Sequence, residues 1–186
     1  MNMKKAYLLT GEPRIGKSSM IKHIIDALGG EHCGGFYTEE IHEEERFQDK
    51  RVGFRLVTLE GREGILAHVN SESPLRMGRY GVNVDCLDAV GMPALYRAME
   101  AKKLIVLDEI GPMQACSDDF KRTVTSILEN AHLLLGTISL DSHPWLDTMK
   151  RHKNVVLYEL TLDNSESIMN KLTDLLRANL SKSRGF

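Results

Sequence analysis

The segment Gly11-Glu12-Pro13-Arg14-Ile15-Gly16-Lys17-Ser18 constrains this chain more than any other, because it fills every position of the phosphate-loop pattern G-x-x-x-x-G-K-[ST]. At average residue frequencies such a match arises by accident in well under ~1% of chains this long. The pattern works only between a buried strand and a helix, since backbone N–H groups at the helix start must wrap the phosphates. Both flanks are legible. Ala6-Tyr7-Leu8-Leu9-Thr10 is a short apolar run suited to a buried parallel strand, and Ser18 to Leu28 carries Met20, Ile21, Ile24, Ile25 and Leu28 at helical spacing before Gly29-Gly30. The phosphate-binding set is expected to run from Gly11 through Gly16, Lys17 and Ser18 to Ser19. Lys17 would reach the β- and γ-phosphate oxygens and the Ser18 hydroxyl would hold Mg2+. A glycine turn with an exposed lysine is the competing explanation, and the flanking pattern argues against it.

A phosphate loop needs a carboxylate on a second strand. Leu104-Ile105-Val106-Leu107 is a continuous apolar run, so Asp108 is expected to emerge at the strand's carboxyl end, where an open α/β sheet binds ligand, and to orient Mg2+ through water. Glu109 then stands where it can polarise a water for in-line attack on the γ-phosphate. A cap at a strand end accounts for Asp108, and a structural salt bridge for Glu109, if neither has that role. Weaker candidates follow. Thr137 and Ser139, after the next strand, could sense the γ-phosphate or the attacking water, although a satisfied hydroxyl in a loop explains them equally. Ser142-His143-Pro144-Trp145 could reach a nucleotide, but a proline-fixed helix start with a packed tryptophan accounts for it. The other histidines are scattered without metal-ligand spacing, and Glu43-Glu44-Glu45 reads as a solvated charge run.

The rest of the chain alternates strands and helices around one irregular stretch. Residues 35–41, 51–59 and 65–69 read as strands of an antiparallel meander, separated by a charged loop at 42–50 and a turn at 60–64. Helices are expected at 88–101 and 117–130, strands at 104–107, 132–137 and 155–160, and a last helix from Asp163, boxed by Glu166, before a frayed tail at 181–186. The 186 residues and 42% hydrophobic content suit one folded domain. A net charge of -2 removes the global basic field of a nucleic-acid or anionic-lipid binder, so nucleic acid is not an expected partner. The basic start at Met1 to Lys5 is followed by only a short apolar run, too brief for a signal sequence, and no stretch is long enough to span a membrane. Three distant cysteines, Cys33, Cys86 and Cys116, indicate neither a disulfide framework nor a zinc site. A cytoplasmic monomer is expected, and no protein partner can be named.

The phosphate loop, Gly35-Phe36-Tyr37-Thr38-Glu39-Glu40 with Gly53-Phe54, Asp108-Glu109-Ile110-Gly111-x-Met113 and the late Ser142-His143-Pro144 together resemble the thermophilic-ATPase-like, or cancer-related, nucleoside-triphosphatase family. The resemblance covers nearly the whole chain. It implies an α/β P-loop fold with a RecA-like, mainly parallel sheet flanked by helices, and slow Mg2+-dependent hydrolysis of ATP, GTP and other nucleoside triphosphates. It carries the phosphate role onto Gly16, Lys17 and Ser18, the metal role onto Asp108 and the water-activating role onto Glu109. Three positions depart from the family: Pro112 and Gln114 stand where lysine and glutamate are common, and Arg14 stands where many loops have glycine. A small nucleoside or nucleotide kinase and a nucleotide-gated binding module are the alternative functions. Asn170-Lys171-Leu172-Thr173-Asp174 is one residue too long for a guanine-reading segment and falls in an amphipathic helical pattern, so weak base discrimination is expected.

Overall fold

The protein is described by a computed structural model covering residues 5–45 and 48–183. Among these residues nine strands form one sheet: β1 (Ala6–Thr10), β2 (Cys33–Glu45), β3 (Gln48–Thr58), β4 (Glu63–His68), β5 (Arg76–Met77), β6 (Tyr80–Val82), β7 (Leu104–Ile110), β8 (Leu134–Ile138) and β9 (Val155–Glu159). Their order is β5-β6-β4-β3-β2-β7-β8-β1-β9. The pairs β2–β7, β7–β8, β8–β1 and β1–β9 are parallel, while β3, β4, β6 and β5 extend the sheet as an antiparallel wing. The meander is thus continuous with the parallel sheet.

The apolar runs of the parallel strands reflect burial on both faces. Along β1, Ala6 and Leu8 join a core cluster with Met92, Phe120 and Leu146, whereas Tyr7 and Leu9 join one with Ile21, Ile24 and Leu172. The first face is covered by α3 (Met92–Glu100), α4 (Asp118–Glu129) and α5 (Pro144–Lys150), and the second by α1 (Lys17–Leu28) and α6 (Ser165–Ser183). The helix expected from 88 starts earlier. It opens as α2 (Val84–Cys86), capped by the Asn83 side chain, and passes through a π-helical stretch (Leu87–Gly91) into α3.

Several boundaries differ from the sequence expectation. Residues 42–45 and 48–50 are strand rather than loop, so β2 and β3 form a long arm; the rest of the expected loop, 46–47, lies outside the described residues. β7 continues through Asp108 and Glu109 to Ile110. The last helix begins at Ser165, so Asp163 and Glu166 do not form the capping box; Asn164 instead accepts from the Thr161 N–H at 2.8 Å and donates to the Glu159 carbonyl at 2.9 Å. That helix runs on to Ser183, and the rest of the expected tail, 184–186, lies outside the described residues, as does the start at 1–4.

Candidate active site

β1 ends at Thr10, and the loop that follows turns at Gly16, whose φ of 101° lies in the left-handed region that glycine adopts without cost. Gly16 caps α1 without a side chain, and the first turn of α1 carries no acidic residue, so the helix presents bare N–H groups and a positive dipole end toward the loop. Lys17 Nζ donates to the carbonyls of Gly11 at 2.7 Å and Glu12 at 2.9 Å, which holds the ammonium within the curve of the loop. Arg14 takes a φ of 64°, a left-handed conformation uncommon for a residue with a Cβ. Its side chain is exposed and lines the cleft, so it meets water and the site together.

Across this cleft, about 740 Å3 in volume, stand Asp108 and Glu109. In a regular strand successive side chains point to opposite faces. Here the pairing of β7 with β8 slips between Leu107 and Ile110, which oppose Gly136 and Ile138. This bulge re-aims the two carboxylates so that both line the cleft. Asp108 is only 5% exposed. Its Oδ1 accepts a 2.5 Å hydrogen bond from the fully buried Thr137 hydroxyl, and its carbonyl accepts from Thr38 Oγ1 at 3.2 Å. Thr137 therefore faces the Asp108 carboxylate, which corrects its reading as a candidate phosphate sensor. Ser139 does line the cleft.

Both carboxylates are pushed above their ordinary range. For Asp108 the main cause is burial, opposed by hydrogen bonds from Ser18 and Thr137 and by the charge of Lys17. For Glu109 burial leads, reinforced by the Asp108 charge and again opposed by Lys17. Two close carboxylates facing one ammonium form a site with room for more positive charge. The donors available there are oxygens alone, the Ser18 hydroxyl and the Asp108 carboxylate, which is the chemistry of Mg2+. Among the described residues no group of three or more His, Cys, Asp or Glu side chains could hold a metal by itself, and Mg2+ needs none when substrate phosphates complete its shell.

The remaining candidates have structural tasks. His143 Nδ1 accepts the Trp145 N–H and starts α5, and Trp145 packs edge-on to Phe120 at 6.0 Å. Asn170 and Asp174 lie on exposed turns of α6 with Leu172 buried between them. Cys33 is a buried free thiol pushed up to about 11, chiefly by burial. Sequence reasoning missed the part of the cleft's outer end where the β2–β3 arm contributes Thr38, Glu40, Arg51 and Phe54; the wing adds Met77, in the 76–80 segment beside which the kinase alternative would seat its acceptor. Arg51 bonds Glu40 at 2.5 Å and the Tyr80 hydroxyl at 3.1 Å, and lies over the Phe54 ring. The Gly-Phe-Tyr-Thr-Glu-Glu segment was the available signal, but no motif assigns its side chains to a cleft.

A phosphate loop between a buried strand and a helix, facing a carboxylate pair at the carboxyl edge of parallel strands, defines a P-loop nucleotide-binding α/β protein. Comparison with known proteins makes this specific: a family model described as NTPase matches residues 6–173, and the chain belongs to that family. It is 40% identical over 172 residues to "Nucleoside-triphosphatase THEP1" of Thermotoga maritima, covering 92% of this chain and 95% of that one. It is 32% identical over 183 residues to "Cancer-related nucleoside-triphosphatase homolog" of Mus musculus, covering 90% and 94%. The crystal structure of THEP1 from Aquifex aeolicus superposes with a TM-score of 0.81 at 33% identity, covering 91% of this chain and 98% of that one. The fold is the RecA-like P-loop α/β architecture expected from the sequence.

Proposed function

We propose that the chain is a single Mg2+-dependent domain that hydrolyses ATP, GTP and other nucleoside triphosphates to the diphosphate and phosphate. The observation that carries this reading is the bulge in β7, which turns Asp108 and Glu109 together toward Lys17 across one cleft. The activity for which the relatives are named, nucleoside-triphosphatase, supports it. In this reading the loop N–H groups from Gly11 to Ser19, with the α1 N-terminus, seat the phosphates, and Lys17 draws charge from the β- and γ-oxygens. Ser18 and Asp108 would hold Mg2+, which when bound neutralises phosphate charge. Thr137 and Thr38 hold Asp108 in place. Glu109 orients a water and takes its proton as the water oxygen bonds to the γ-phosphorus; the bond to the bridging oxygen breaks, and the diphosphate leaves with that oxygen. A raised carboxyl pKa makes Glu109 a stronger proton acceptor while it remains ionised.

Weak base discrimination follows from the absence of a guanine-reading segment at a loop, the one near match being inside α6. The chain is read as a cytoplasmic monomer, in keeping with free cysteines at all three positions; among the described residues no helix is long and apolar enough to cross a membrane. A second reading, transfer of the γ-phosphoryl group to a small acceptor, is favoured by the continuation of the cleft to Arg51, Phe54 and Met77, which leaves room beside the γ-phosphate. Product analysis with ATP, GTP, CTP and UTP under one Mg2+ condition decides. Free phosphate should match triphosphate consumed throughout, with kcat/KM values within about tenfold, ~1.4 kcal/mol. Phosphate appearing on a supplied nucleoside or monophosphate faster than in solution would favour transfer.

A further inference from the structure

Gly111 follows the carboxylate pair, and its surroundings explain why a side chain is missing there. A Cβ on Gly111 would lie 2.5 Å from Glu109 Oε1, 3.1 Å from Glu109 Cδ and 3.0 Å from Gln114 Oε1. The Glu109 carboxylate therefore lies back over the chain in the space that Gly111 leaves empty. The backbone does not require glycine, because Gly111 is not among the residues of positive φ. The backbone also cannot readily give way. Ile110 pairs with Ile138, its carbonyl accepts from Ser139 N–H at 3.1 Å, and the Gly111 carbonyl accepts from Ala115 N–H at 3.0 Å. Gln114 is 3% exposed and has little room to retreat. Glu109 and Gln114 both border the open cleft, but the Glu109 carboxylate meets the closer contact, 2.5 Å against 3.0 Å, and is the group that must move furthest.

We propose that Gly111 is a positioning residue whose missing side chain sets the place of the Glu109 carboxylate. This inference rests on the hydrolytic role proposed for Glu109. An alanine at this position should leave the fold and the phosphate loop intact and push the carboxylate off its position. An aspartate at 109 is shorter by one carbon–carbon bond, about 1.5 Å, and withdraws from the same space. The two substitutions therefore act on one feature and should not compound.

The test measures kcat, Mg2+-ATP affinity and Tm for wild type, Gly111→Ala, Glu109→Asp and the double variant. Gly111→Ala should lower kcat at least ~10-fold, part of the general-base contribution. Its ATP affinity should stay within about threefold and its Tm within a few degrees. The double variant should be no slower than Glu109→Asp alone. A Gly111→Ala kcat within about twofold of wild type, equal loss of affinity, or multiplicative losses in the double variant would overturn the proposal. If Glu109→Asp itself leaves kcat unchanged, the hydrolytic role of Glu109 fails instead.

Discussion

Asp108 and Glu109 bind their protons more tightly in the folded chain than in the unfolded one, since burial disfavours ionisation of both and the Asp108 charge further disfavours that of Glu109. The resulting penalty on stability is absent below the unfolded-state pKa and fully present above the folded-state pKa. Glu109→Gln removes one of the charges. It should raise Tm of the nucleotide-free protein at about pH 8 and do so less at about pH 4, each ~1 kcal/mol being worth about 2–4 °C in a chain of this size. Thermal melts at the two pH values check this, and a variant that melts lower at about pH 8 would contradict it. At this scale the sequence was informative where chemistry is local. Lys17, Ser18, Asp108 and Glu109 could be named because motif and strand end imply them. The partners that hold Asp108, Thr137 across the β7–β8 pair and Thr38 across β2–β7, are distant in sequence and had no spacing to reveal them.

The elements were legible wherever one face is buried. The charged stretch 42–50 resembled a loop because it has no apolar alternation, yet 42–45 and 48–50 pair as strand, with His42 on Asp49 at 2.9 Å and, flanking the stretch, Glu40 on Arg51. A strand polar on both faces carries no period-two hydrophobic signal. The bulge in β7 was hidden for another reason: it depends on pairing with β8, a partner more than twenty residues away. The join from the carboxylate strand to α4 is held by Ser117, 2% exposed, whose hydroxyl accepts from Phe120 N–H at 3.1 Å and donates to Asp88 Oδ1 at 2.7 Å. Ser117→Ala should cost about 1–2 kcal/mol, the range for a lost N-cap, with a matching fall in Tm. Denaturant unfolding measures it, and a loss under ~0.5 kcal/mol would show that the cap contributes little.

At the scale of the whole molecule, the chain order sets the site. β1 delivers the phosphate loop, β7 delivers the carboxylates two strands away, and β8 between them supplies the threonine that fixes Asp108. The wing then carries the sheet outward and gives the cleft its second wall. The parallel core was readable from alternating apolar runs, whereas joining of the meander to it through β2 required the register that only the folded chain displays. The central claim is that Glu109 activates water at a site assembled by Lys17, Ser18 and Asp108. Its most direct test is the rate of phosphate release from saturating Mg2+-ATP by Glu109→Gln, measured beside its ATP affinity. A fall of at least ~100-fold with affinity kept within a few fold is expected of a lost general base. A rate near that of wild type would remove Glu109 from the reaction and with it the proposed mechanism.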